Sequence, residues 1–337
     1  MNAIRQIEPK LPVTILTGFL GAGKTTLLKN ILSERQGERI AIIENEFGET
    51  SVDADLLFED RNEQVIELNN GCICCKVRGD LVRILTDLHR RRAAGELEFG
   101  RVIIETTGLA DPAPVAQTFF VEDDVSQYYV LDAIVTLVDA VHAGSQLDVH
   151  HEAVEQVAFA DRLLVSKADM VDPRAVEALS ARLRKINARA PIALVSLGRT
   201  DLRALLDVGC FSLDSVLEIE PDFLSDVAHE HDDDIGSFVF SSLLPFDPAM
   251  ITQHLPEMIQ KHGTELMRYK GVLSYAGFER KVVLQGVHMV TRSDVGQPWL
   301  NEKRVSNIVF IGRKLPESDI RRALEGCLIK TAAPAAA

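Results

Sequence analysis

The sequence predicts an α/β protein in which a doubly wound, mostly parallel sheet is followed by a smaller α+β domain. Three observations carry this expectation. Between residues 13 and 195 short apolar runs alternate with amphipathic stretches, the order required by a parallel sheet whose crossovers are helices. Around residues 218–234 the apolar period stops at Pro221, the triplet His229-Glu230-His231 and the run Asp232-Asp233-Asp234, as a linker would have it. Beyond that stretch the pattern becomes strand, helix, several strands and a closing helix, which fits an antiparallel sheet with two helices on one face. The expected divisions are a first domain at 1–217, an acidic linker with two histidines at 218–234, a second domain at 235–330 and a frayed tail at 331–337.

Taken in order, strands of the first domain are expected at 13–16, 39–43, 65–68, 102–104, 134–138, 163–165 and 192–195. Each is a short apolar run of the kind buried on both faces. Helical spacing is clearest at Leu27, Leu28, Ile31 and Leu32, and again at Val176, Leu179, Leu183 and Ile186. In the second domain 238–244, 266–275, 281–288 and 307–311 read as strands, and 248–262 and 316–328 as helices. A chain of 337 residues has enough length for two such cores.

Charge narrows the partners. With 50 acidic against 36 basic residues the net charge is −14, which repels nucleic-acid phosphates and anionic bilayers, so neither nucleic acid nor membrane is expected. Residues 1–12 lack the continuous apolar core of an export signal, and no stretch reaches the roughly 18 apolar residues of a membrane span. A cytoplasmic location follows as the expectation. There the five cysteines, Cys72, Cys74, Cys75, Cys210 and Cys327, read as thiols or ligands rather than a disulfide framework.

Gly18-Phe19-Leu20-Gly21-Ala22-Gly23-Lys24-Thr25 matches the phosphate-binding loop G-x-x-x-x-G-K-[ST] and stands between an apolar strand and an amphipathic helix, the context the motif needs. Backbone N–H groups of Gly18, Gly21, Ala22 and Gly23 wrap the phosphates, Lys24 reaches the β and γ oxygens, and Thr25 is placed to ligate Mg²⁺. The acidic partner for that ion is Glu105, which ends the run Arg101-Val102-Ile103-Ile104. Gly108 follows, its N–H offered to the γ-phosphate. Leu109 stands where many phosphate-loop hydrolases carry a water-orienting Gln, so slow hydrolysis is expected.

Ser166-Lys167-Ala168-Asp169 resembles the guanine-reading Asn-Lys-x-Asp pattern. Asp169 accepts from guanine N1 and N2, the stem of Lys167 covers the base, and Ser166 replaces the usual Asn with a shorter hydroxyl that can still tie the loops together. GTP is favoured over ATP on this ground.

Gly71-Cys72-Ile73-Cys74-Cys75 places three thiols in four positions after the strand at 65–68. Thiolates suit Zn²⁺ and other soft or borderline ions. In an extended segment Cys72 and Cys74 share a face and Cys75 points away, whereas a tight turn gathers all three. Glu44 and Glu49 leave another strand end and, in a doubly wound sheet, line the same crevice. They join the thiols, or enter the Mg²⁺ shell, or form a solvated loop; the cysteines themselves have a second reading as buried small hydrophobes. His229 and His231 read as part of a polar linker, and His150 and His151 as surface residues.

Together, the segments 18–26 and 44–49, the Cys-x-Cys-Cys signature, Glu105-Thr106-Thr107-Gly108 and Ser166-Lys167-Ala168-Asp169 resemble the CobW-like GTPases. The likeness continues through Arg268-Tyr269-Lys270-Gly271, Gln285-Gly286-Val287, Pro298-Trp299 and Val309-Phe310-Ile311-Gly312. It implies a metal-binding GTPase with a C-terminal domain of ferredoxin-like layers, using GTP and Mg²⁺ and handling Zn²⁺, Co²⁺ or Fe²⁺ for a client metalloprotein. Thr26 joins the nucleotide contacts, and homo-oligomerisation stays open. Two other classes compete: an ATP-dependent kinase or ATPase with structural thiols, and a metal sensor or store without turnover.

Overall fold

The structure, a computed structural model, describes residues 10–34, 39–44, 64–67, 75–196, 205–206, 235–300 and 302–329. The expected linker at 218–234 and the tail at 331–337 lie outside them. The chain gathers into two compact units, one of Met1–Gln156, Ala160–Val176 and Ile192–Val208, the other of Val157–Phe159, Glu177–Pro191 and Gly209–Ala337.

The first sheet is built by β1 (Leu11–Gly18), α1 (Lys24–Glu34), β2 (Ile40–Glu44), β3 (Gln64–Glu67), α2 (Cys75–Ala93), β4 (Arg101–Glu105), α3 (Ala113–Val121) and α4 (Asp123–Ser126). It continues through β5 (Tyr129–Asp139), α5 (Ala143–Val149), α6 (His151–Phe159), β6 (Arg162–Ser166), α7 (Pro173–Ile186) and β7 (Ile192–Val195). The strand order is β3-β2-β4-β1-β5-β6-β7 and every pairing is parallel. All seven expected strands are present. They were legible because Val13, Ile15, Ile42, Ile103, Ile134 and Leu163 have both faces of their sheet covered and are fully buried. The order reverses about β1, and at such a switch point the carboxyl ends of the strands open a crevice. Register places Leu16, Glu105, Glu44 and Glu67 in line across β1, β4, β2 and β3.

The second sheet comprises β8 (Ile235–Ser242), β9 (Leu266–Leu273), β10 (Arg280–Val287), β11 (Val290–Pro298) and β12 (Ser306–Arg313), with α8 (Pro248–His262) after β8 and α9 (Glu317–Gly326) after β12. Its order, β11-β10-β9-β12-β8, is antiparallel throughout. β8 and β9 run parallel on either side of β12, a split β-α-β arrangement in keeping with ferredoxin-like layers. Phe238, Phe310 and Leu284 from one sheet face meet Ile251 and Leu255 of α8 and Ile320 of α9 in a single core. α8 starts where expected because Asp247 Oδ1 accepts from the N–H groups of Ala249 and Met250 at 2.8 and 3.2 Å, capping the first turn ahead of Pro248. β11 is absent from the sequence expectation. It is an edge strand whose residues alternate between half-buried and exposed, so Thr291-Arg292-Ser293-Asp294 shows no apolar run. No helix among the described residues is long and apolar enough to cross a membrane.

Candidate nucleotide and metal site

The phosphate loop leaves the end of β1 and feeds α1. Its opening Gly18 has φ of +142° and lies so close to Leu137 of β5 that a Cβ would run into the Leu137 carbonyl oxygen, a position only glycine tolerates. Lys24 turns back over the loop and donates to the carbonyl oxygens of Gly18 at 2.8 Å and Phe19 at 3.4 Å. Burial lowers the pKa of this ammonium from its ordinary value, and the nearby Glu105 partly offsets that shift. Ala22 is buried, while Gly21 and Thr26 are exposed.

Thr25, in the first turn of α1, donates from Oγ1 to Glu105 Oε1 at 3.2 Å. Two hard oxygen donors, a hydroxyl and a carboxylate, thus stand together beside the loop, a donor set that fits Mg²⁺. The end of β4 is held to β1 by Thr106, whose N–H donates to Leu16 O at 2.9 Å and whose hydroxyl donates to Thr17 Oγ1 at 2.8 Å. Gly108 then packs on the phosphate loop: a Cβ there would stand 2.7 Å from the Leu20 nitrogen. The next side chain, Leu109, is 52% exposed.

On the other flank, Ser166 donates from Oγ to the carbonyl of Ala22 at 2.7 Å. The short hydroxyl does tie the loop after β6 to the phosphate loop. Lys167 sits in the left-handed region with φ of 56° and donates from Nζ to Gly21 O at 2.9 Å and to Asp139 Oδ2 at 2.6 Å. Asp169 is exposed in the short 3₁₀ turn Ala168–Met170. The sequence reading missed two participants here. Asp139 ends β5, 1% exposed and level with Ser166; the signal available was a carboxylate directly after the mostly apolar run 134–138, as Glu44 and Glu105 also follow apolar runs. His150, expected at the surface, is half-buried with its ring 4.7 Å from that of Phe19.

Of the expected metal donors, Glu44 ends β2 directly across from Glu105, so the two carboxylates leave neighbouring strands on the same face. Cys75 is the first residue of α2, which excludes an extended conformation at that position. Glu49, Cys72 and Cys74 lie outside the described residues. Among the described residues no group of three or more His, Cys, Asp or Glu is placed to hold a metal ion.

Residues 12–194 match the model of the CobW/HypB/UreG nucleotide-binding domain, and 235–328 match that of the cobalamin synthesis protein CobW C-terminal domain. The zinc chaperone YjiA of Escherichia coli K12 is 43% identical over 317 residues, covering 94% of this chain and 98% of its own. The zinc chaperone CobW of Pseudomonas aeruginosa is 33% identical over 357 residues, covering 95% and 92% respectively. The crystal structure of the Zn(II)-bound YjiA GTPase from E. coli superposes with a TM-score of 0.75 at 37% identity, spanning 95% of this chain and all of that one.

Proposed function

Because this chain belongs to the CobW family of nucleotide-binding proteins, we propose that it hydrolyses GTP and uses that cycle to hold a zinc-type ion and deliver it to a client protein. One observation carries the reading: a complete phosphate loop, a Thr25–Glu105 oxygen pair and a Lys167–Asp139 clamp surround one crevice, and Glu44 stands next to Glu105 on its rim. The zinc chaperones among its relatives support zinc as cargo.

In this reading the loop N–H groups of residues 18–23 receive the phosphates, and Lys24 exchanges its contacts with Gly18 and Phe19 for β and γ oxygens. Thr25 and Glu105 would hold Mg²⁺, which would supply positive charge to offset that developing on the phosphate oxygens. Water adds to the γ-phosphorus as its bond to the bridging oxygen breaks; GDP leaves with that oxygen, and the water proton passes to the released phosphate and solvent. The Leu109 side chain offers that water no amide, so intrinsic turnover is slow. Lys167 and Asp169 select guanine. The cargo ion is taken by Cys72, Cys74 and Cys75 with Glu44 and Glu49.

Switching a two-state site from 1:99 to 99:1 takes about 5.5 kcal/mol of differential affinity. That is below the roughly 10–16 kcal/mol of structural zinc sites, so hydrolysis has to loosen the donor set without dismantling it. The test is Zn²⁺ affinity measured with a GTP analogue, with GDP and without nucleotide. Affinity should be highest with the analogue; three equal values sink the coupling. Metal analysis of the wild type and of Cys74→Ala, with Co²⁺ and Fe²⁺ as competitors, identifies the cargo. Competition of GTP against ATP, repeated on Asp169→Ala, and phosphate release with and without metal separate this reading from an ATPase and from a sensor without turnover.

A further inference from the structure

Gln156 lies three residues from the end of α6 and is 1% exposed. A buried amide has to use its donors inside the protein. Its Nε2 donates to the carbonyl oxygens of Gly108 at 3.2 Å and Ala110 at 3.0 Å. Its own carbonyl accepts from Thr136 Oγ1 on β5 at 2.7 Å. The residue is therefore pinned to the central sheet through its backbone and to the loop after β4 through its side chain.

That loop is the one that follows Glu105 and packs on the phosphate loop at Leu20. It is already tightened by a bond from Ala110 N–H to Thr107 O at 3.1 Å. In a planar trans peptide the carbonyl and the following N–H point in opposite directions. Drawing the Gly108 and Ala110 carbonyls toward Gln156 consequently turns the N–H groups of Leu109 and Asp111 away from it. The loop has no amide side chain at 109, so its orientation depends on backbone atoms that another element has to set. Carbonyls left without these donors would be free to rotate, and the N–H groups would rotate with them.

We infer that Gln156 is a positioning residue for GTP hydrolysis: its amide sets the peptide orientation of the 108–110 loop that faces the γ-phosphate. This rests on the GTPase reading given above. A purely structural prop would affect both nucleotides alike, whereas GDP lacks the phosphate that meets this loop.

The experiment compares wild type, Gln156→Met and Thr136→Val in single-turnover GTP hydrolysis and in affinity for GDP and for a non-hydrolysable GTP analogue. Met keeps the volume and removes both donors; Val removes only the backbone anchor. Gln156→Met should lower the hydrolysis rate about tenfold and weaken the analogue, with GDP affinity held within about twofold. Thr136→Val should fall between it and wild type. Unchanged rates and an unchanged analogue-to-GDP affinity ratio in both variants would overturn the inference, as would a parallel loss of both affinities. Thermal unfolding reports whether Gln156→Met folds; where it does not, Thr136→Val decides by the same outcomes. A wild type without GTP turnover would instead overturn the GTPase reading itself, so the two failures are distinct.

Discussion

Lys167 reaches from the loop after β6 to Asp139 at the end of β5, its Nζ 2.6 Å from Asp139 Oδ2, while the same nitrogen donates to Gly21 O at 2.9 Å. The Lys167 ammonium is thus clamped between a buried carboxylate and the phosphate loop. Asp139 also accepts from the N–H of Val141 at 2.9 Å, so it organises its own loop as well.

Asp139→Ala removes both contacts and leaves the Lys167 ammonium without its counter-charge. A loss of about 2 kcal/mol in the nucleotide-free protein is expected in urea unfolding, since hydrogen bonds to charged groups are worth about 1.5–3 kcal/mol. GDP affinity should fall in parallel. Asp139→Asn keeps an acceptor for Val141 and should lose less on both counts.

At Gly108 the constraint is close approach rather than backbone angle. A methyl group there meets the Leu20 nitrogen and Cα, backbone atoms that yield only if the phosphate loop moves. Gly108→Ala should cost about 1–3 kcal/mol, the range for overpacking. Thermal unfolding measures that cost, and titration with the GTP analogue should show a larger loss of affinity than titration with GDP.

Arg101 opens β4 with its guanidinium 2.9 Å from Asp132 Oδ2 on β5, the two side chains 1% and 4% exposed. Arg101 also donates to Thr14 Oγ1 at 3.3 Å. Breaking a buried pair on one side strands a charge, and Asp132→Ala should cost about 3–5 kcal/mol. The double change Arg101→Met with Asp132→Leu removes both charges and should cost less than that single change. Urea unfolding of both variants decides; a double variant weaker than Asp132→Ala would contradict the account.

The lowered pKa of Lys24 gives a pH signature. Its causes are burial first, then the opposing pull of Glu105. Below the lowered value the folded chain carries the full burden of a desolvated cation. As pH rises from there toward the ordinary 10.5, the unfolded chain binds more protons than the folded one, and the stability attributable to this group increases. Phosphate oxygens favour the charged form, so nucleotide binding takes up a proton in that window and weakens as pH rises. Calorimetry in two buffers of different ionisation enthalpy should show proton uptake on GDP binding by the wild type. Lys24→Ala should bind more weakly and show none.

Local pattern was enough for the elements whose chemistry is written in adjacent residues. Strands covered on both faces are apolar runs, and a phosphate loop is eight consecutive residues. β11 escaped because an exposed edge strand pairs through its backbone and leaves no mark in side-chain hydropathy. The order of strands, which lines up Glu44 with Glu105 across β2 and β4, was accessible only as the general rule that carboxyl ends share a crevice.

Composition, periodicity and motif spacing determined the α/β class and singled out Gly18–Thr25, Glu105 and Lys167, residues that the fold then brings into contact. The contacts of Asp139 and Gln156 were decided by the fold alone. Asp139 meets Lys167 across 28 positions, and Gln156 meets Gly108 and Ala110 across 48 and 46. A buried polar group takes its function from the atom it bonds, and over such separations only strand order and crossover packing determine which atom that is.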